Sequence, residues 1–198
     1  MPSKTDNQLT TRYEIRRKLI HLSCSVLPLT YLFYLSREQI LLISGIITIG
    51  LLAGEVLRRY WRPATLLFDK LFSSLLREHE QNKLTGATHL FISATVTIFL
   101  FEKSVAVPAI LTLTISDSMA AIVGKSVGKQ RIFNKTLEGS VTFFSITAGI
   151  FYMVYGELTP YLIVSAGIMT LLELLPFRFN DNLIIGPGTA LLLIIGRR

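Results

Sequence analysis

The chain has 198 residues, is 51% hydrophobic and has a mean hydropathy of +0.52, which excludes an ordinary soluble domain and predicts a polytopic membrane protein. A formal net charge of +7 invites a nucleic-acid partner, but the placement of the basic residues assigns that charge to membrane topology, and no nucleic-acid partner is expected. The single cysteine, Cys24, excludes an internal disulfide.

Seven apolar stretches follow in chain order: Leu19–Leu35, Ile40–Leu57, Leu84–Phe101, Val105–Val123, Val141–Tyr155, Tyr161–Leu175 and Leu183–Ile195. A spanning helix needs about 17–25 residues, so the first four qualify and the last three are short. The expectation is an all-α chain, a single integral membrane domain over 1–198, with about seven transmembrane helices (six is the alternative count) and one cytoplasmic amphipathic helix. Residues 1–10 are expected to be loose. No small-residue cleavage site follows the first apolar run, which predicts a retained helix.

The first stretch is entered through RRKLIH, which puts Arg17 and His21 four apart on one helical face with Lys18 beside them. The second ends in GEVLRR, with Glu55 near its inner end and Arg58 and Arg59 one turn on; a helix-end ion pair between Glu55 and Arg59 is the plainer reading. Gly50 and Gly54 form a GxxxG pair consistent with close helix packing, and a second copy of the chain is kept as a candidate partner. Ala64–Glu80 has Leu67, Phe68, Leu71, Phe72, Leu75 and Leu76 at helical spacing, which predicts an amphipathic helix on the cytoplasmic interface, either an anchor or a lid beside a lipid entrance. GATH opens the third stretch and places His89 in it, as a satisfied buried histidine or as part of a site.

The fourth stretch carries Asp117 between Ser116 and Ser118. A carboxylate at a helix centre costs about 2.5–3.5 kcal/mol on insertion scales, so it faces a partner or a cavity. Gly124, Lys125, Gly128, Lys129, Lys135, Thr136, Glu138, Gly139 and Ser140 come next. Glycines admit close backbone N–H groups, lysines supply charge and hydroxyls supply donors, a set suited to a polyphosphate. GKS at 124–126 imitates the end of a Walker A loop, but Met119 and Val123 stand where the earlier glycine is required and no strand precedes them. At the sixth boundary ELLPFRFNDN supplies Glu173, Asp181 and Asn182; Asp and Asn together suit a hard oxygen-liganded cation such as Mg²⁺, or serve as a turn and helix cap.

With the N-terminus inside, segments 1–18, 58–83, 124–140 and 176–182 hold 16 of the 20 Lys and Arg residues, leaving Arg37, Lys103, Arg197 and Arg198 outside. All the groups singled out then lie at or near the cytoplasmic face. The expected site has Asp117 holding a metal at the membrane surface, the glycine-lysine loop holding the phosphates of a soluble nucleotide, and a lipid entering from the bilayer.

SDSMAAIVGKSVGK followed by KTLEGS resembles the membrane-bound CTP-dependent lipid kinases, which act on dolichol, phytol or diacylglycerol and are distantly related to phosphatidate cytidylyltransferases. RRKLIH, the ExxR of the second stretch, GATH and the late Glu…NDN segment match the same pattern, so the resemblance covers about 12–195. Asn180 stands where the family often has an acidic residue. The resemblance implies transfer of the γ-phosphate of CTP to a lipid alcohol. It makes Asp117 the essential acid, Gly124 to Ser140 the CTP loop, and Arg17 with Lys18 a basic pair of the motif. Mg²⁺ is then expected on Asp117 with Asp181 or Glu138, with His89, Asn182 and Glu173 in lipid contact or behind the site. Asp117, Glu55 and His21 are all candidate bases. CDP-lipid synthesis by cytidylyl transfer and a non-enzymatic transporter or scaffold are the alternatives.

Overall fold

A computed structural model describes residues 4–72, 84–176 and 180–196, and the chain is mostly helical, at 83%. The helices are α1 (Lys4–Ser23), α2 (Val26–Phe33), α3 (Arg37–Tyr60), α4 (Arg62–Phe72), α5 (Gly86–Leu100), α6 (Lys103–Leu111), α7 (Asp117–Ser126), α8 (Leu137–Tyr155), α9 (Pro160–Leu174) and α10 (Asp181–Ile195). A π-helical turn, Thr112–Ser116, joins α6 to α7, and a two-stranded hairpin of β1 (Arg131–Ile132) and β2 (Lys135–Thr136) joins α7 to α8.

Three stretches are long and apolar enough to cross a membrane among the described residues: Arg37–Tyr60, Lys103–Ser126 and Leu137–Tyr155. The remaining expected stretches differ in length and continuity. The first apolar stretch is two helices, because Pro28 lacks an N–H and its ring crowds the preceding turn, so α1 stops at Ser23 and α2 starts at Val26. The third stretch is a helix of 15 residues, shorter than a full span. The fifth is longer than its apolar core, because Thr136 caps it through a bond from Gly139 N at 3.2 Å, ahead of the expected start at Val141, and it runs to Gly156 at φ 79°. The expected amphipathic helix begins in α4; residues 73–83 lie outside the described residues.

The α6–π–α7 rod is the axis of the bundle, 78% buried over its apolar window against 17% for α3. It packs on α2 and α10 in its first half and on α1 and α8 in its second; α5 lies between α3 and α10, and α9 between α8 and α10. One core gathers Tyr31, Ile98, Ile110, Phe151 and Leu193, and another gathers Leu90, Leu113, Phe143, Met169 and Ile185. On α3, Leu42, Ile46, Ile49 and Val56 remain exposed, an apolar surface suited to lipid.

Hydrogen bonds between elements define two ends. At one, Arg37 Nη2 donates to Phe99 O at 2.6 Å, Lys103 Nζ to Leu35 O at 3.3 Å and Tyr155 Oη to Ser104 O at 2.9 Å. The last has a backbone cause: Pro108 has no N–H for the carbonyl four residues back, and Tyr155 takes that acceptor. At the other end Glu55 of α3 meets Thr85 before α5, and Asn182 of α10 donates from Nδ2 to Gly86 O at 3.1 Å.

Candidate active site

Asp117 begins where the π turn ends, and its N–H bonds to Thr112 O, five residues back. The turn is supported from within: Thr112 and Thr114 donate their hydroxyls to Pro108 O at 2.9 Å and Ile110 O at 2.8 Å. Such turns cluster at functional sites because the extra residue re-aims the side chains beyond it. Asp117 is 3% exposed and forms an ion pair with Lys18 of α1, which is 8% exposed. A carboxylate at this depth is tolerable because a countercharge arrives from another helix.

A second set adjoins the first. Lys135 of β2 donates to Glu173 Oε1 of α9 at 2.5 Å and to Asp181 Oδ2 of α10 at 3.0 Å. Burial works to lower the Lys135 pKa, but the Glu173 and Asp181 carboxylates outweigh it and hold the ammonium above its usual range; Asp117 adds to their pull. Asp181 in turn feels the charge of Lys18. Asp117, Lys18, Lys135, Glu173 and Asp181 are thus one electrostatic cluster, assembled from α1, α7, the hairpin, α9 and α10.

The loop beside the cluster is built around Thr136. A Cβ on Gly124 would lie 2.6 Å from Thr136 Oγ1; on Gly128, 2.2 Å from Gly124 O and 2.7 Å from Thr136 Cγ2; on Gly139, 2.9 Å from Ala120 O. All three glycines are therefore required where α7 meets the start of α8. Glu138 turns inward: its Oε1 accepts from Lys129 N at 2.9 Å and Gln130 N at 3.4 Å, closing the loop. Lys125 and Lys129 are exposed, and Ser140 is buried with its Oγ free of partners. At the hairpin tip Phe133 has φ 52° and is 64% exposed.

The remaining predicted residues fall around this centre or apart from it. His21 is 2% exposed, one turn beyond Lys18, and Arg17 pairs with Glu14 at 3.1 Å. Glu55 pairs with Arg58 at 2.6 Å, where the sequence pointed to Arg59, and its Oε1 accepts from Thr85 N at 2.8 Å and Thr88 Oγ1 at 3.2 Å. These bonds tie α3 to α5. His89 Nδ1 lies 2.8 Å from Thr85 O, and Asn182 is held by Gly86. Asn180 is the cap of α10, accepting from Asn182 N at 3.1 Å, which leaves Asp181 free to face Lys135. Glu173, expected in lipid contact or behind the site, faces Lys135 directly, and Phe133 is not singled out by the sequence reading. The signal for Phe133 was a two-residue tip, Phe-Asn, between Arg131-Ile132 and Lys135-Thr136.

Among the described residues no group of three His, Cys, Asp or Glu stands assembled around a metal position. The donor chemistry nevertheless fits a hard divalent cation: Glu173 and Asp181 converge on one point, and Glu173 Oε2 is buried with no hydrogen-bond partner among the described residues.

No family model and no solved structure matches the chain. An uncharacterised protein of Rickettsia prowazekii is 32% identical over 181 residues, covering 86% of this chain and 88% of the relative. This chain belongs to the same family. An uncharacterised protein of Methanocaldococcus jannaschii is 31% identical, covering 86% and 87% of the two chains. A protein of Schizosaccharomyces pombe named CTP-dependent diacylglycerol kinase 1 is 29% identical, covering 77% and 72%. Relatives of that name support a CTP-dependent lipid kinase family, and with the apolar helices they support a membrane protein.

Proposed function

We propose that the protein is a kinase that transfers the γ-phosphate of CTP to the hydroxyl of a membrane lipid alcohol, with diacylglycerol as the acceptor. The observation that carries this reading is the joined cluster of Asp117–Lys18 and Lys135–Glu173–Asp181 beside a lysine-bearing loop. The name of the fungal relative supports CTP and diacylglycerol. The basic residues support a cytoplasmic face: counting α1 with α2 as one broken crossing, seven passes run from a cytoplasmic N-terminus to Gly196, which lies against Tyr161 at the start of α9.

Phosphoryl transfer needs little from a protein beyond alignment and charge neutralisation. Lys125 and Lys129, exposed on the loop, meet the phosphates, and Lys135 and Lys18 supply positive charge from beneath. A magnesium ion bound by Asp117 and Asp181, with Glu173, would offset the charge of the β- and γ-phosphates. The lipid oxygen forms the new bond to the γ-phosphorus, the bond to the β-phosphate oxygen breaks, CDP leaves and the hydroxyl proton passes to a base. Both Glu55 oxygens are committed to Arg58, Thr85 and Thr88, and Asp117 is engaged by Lys18 and by the metal it would hold, which favours His21 for that role. The surrounding apolar helices limit water and hence CTP hydrolysis.

The test is purified protein with Mg²⁺, diacylglycerol, polyprenol and phytol in mixed micelles, and CTP labelled at the α- or γ-phosphate. Label entering diacylglycerol from the γ-position alone is expected. Label in polyprenol or phytol changes the acceptor. Label from the α-position makes the protein a cytidylyltransferase, and none from either leaves transport or scaffolding.

A further inference from the structure

The two lysines at the centre of the cluster occupy cation positions. Lys135 Nζ lies between Glu173 Oε1 at 2.5 Å and Asp181 Oδ2 at 3.0 Å, bridging the end of α9 to the start of α10. Lys18 Nζ pairs with Asp117 from α1. Three carboxylates thus face two ammonium groups in one cluster. The cluster also keeps an acceptor that no donor among the described residues uses, the buried Glu173 Oε2 of a residue only 6% exposed. A point shared by carboxylates of two helices, with a spare buried oxygen beside it, offers donors of the kind a divalent cation takes, and all-oxygen donors suit a hard ion. The present occupant is suited to leave, because a lysine ammonium is a point charge on a flexible four-carbon stem, whereas an arginine fork would be fixed to its partner.

We propose that Lys135 and Lys18 are stand-in cations: in the nucleotide-free protein they hold the positions on Glu173, Asp181 and Asp117 that a divalent cation takes, and they pass to the phosphates when nucleotide and metal arrive together. The identity of that nucleotide rests on the kinase reading; the cation seat does not. A metal arriving alone must displace ammonium groups that have no new partner, and therefore binds weakly. A metal arriving with a polyphosphate provides that partner, so the two bind with positive coupling.

The test uses Mn²⁺ as the probe, followed by electron paramagnetic resonance, with the purified full chain in detergent micelles and no nucleotide. Lys135→Met is expected to bind Mn²⁺ at least about tenfold more tightly than wild type, within the usual range of coupling between sites, and Lys135→Met with Asp181→Asn is expected to lose the gain. Lys18→Met tests the same exchange through Asp117. In wild type, saturating Mn²⁺ is expected to raise acylation of the Lys135 amine, read by peptide mass spectrometry, which needs no variant to fold. Unchanged or weaker Mn²⁺ binding in a folded lysine variant, or unchanged Lys135 acylation in wild type, overturns the proposal. Absence of γ-label in any lipid would sink the kinase reading alone, and a tighter Mn²⁺ seat in Lys135→Met would still stand.

Discussion

Asp117 and Lys18 are each buried, and each is tolerable only because of the other. Breaking a buried pair from one side costs about 3–5 kcal/mol, since a lone charge is left in apolar surroundings. Asp117→Asn is therefore expected to lower the denaturation midpoint in micelles and to reduce kinase turnover by a hundredfold or more, on the order of losing a principal electrostatic group. Adding Lys18→Met to Asp117→Asn should recover much of the stability and none of the turnover; recovery of turnover would remove Asp117 from the chemistry. Lys135→Ala is expected to raise the CTP concentration needed for half-maximal rate, and an unchanged requirement would return Lys135 to a purely structural role. Phe133 offers a test of the opposite kind. Its φ of 52° costs about 1–2 kcal/mol for a residue with a Cβ, and its ring is exposed, so Phe133→Gly should leave stability equal or higher in chemical denaturation. A loss of stability would mean that the ring is packed in a way its exposure does not show.

The glycines divide into two kinds at the level of the elements. Gly128→Ala would drive a methyl to 2.2 Å from Gly124 O, so the α7–α8 junction must open, at about 1–3 kcal/mol, the usual range for overpacking. Gly50→Ala meets nothing within 4 Å and should be neutral to slightly stabilising, as helix propensity dictates. Equal melting shifts for the two would contradict this packing. The same glycines show how far residue pattern reaches. Asp117 and the loop after it were legible because a charge inside an apolar run and glycines paired with lysines are local signals. The packing of Gly124, Gly128 and Gly139 on Thr136 was not, since a sequence does not show which atom a missing Cβ would strike. Glu173 and Lys135 lie 38 residues apart, and Lys18 and Asp117 lie 99 apart, so their partnerships exist only after folding. The break at Pro28 was there to be read, but hydropathy averages across a single proline. The π turn leaves no mark in hydropathy at all.

For the whole molecule, the two bonded ends make a topological prediction. With Cys24 replaced by Ala, a cysteine at exposed Ser126 should react with a membrane-impermeant thiol reagent only from the cytoplasmic side, and one at exposed Glu157 only from the other. The reverse result would invert the orientation. The central rod joins these two ends through the π turn. An α-helix advances by about 100° per residue, and a π turn holds one residue more per turn. In terms of phase, the half of the rod from Lys103 is clocked to α2 and α10, and the half from Asp117 is clocked to α1 and α8. An insertion that extends the helix by one residue between 112 and 116 is then not a local event. It rotates one half against the other by about 100°, like a slipped gear, and shifts it by about 1.5 Å along the axis, carrying Asp117 out of the sector that Lys18 occupies.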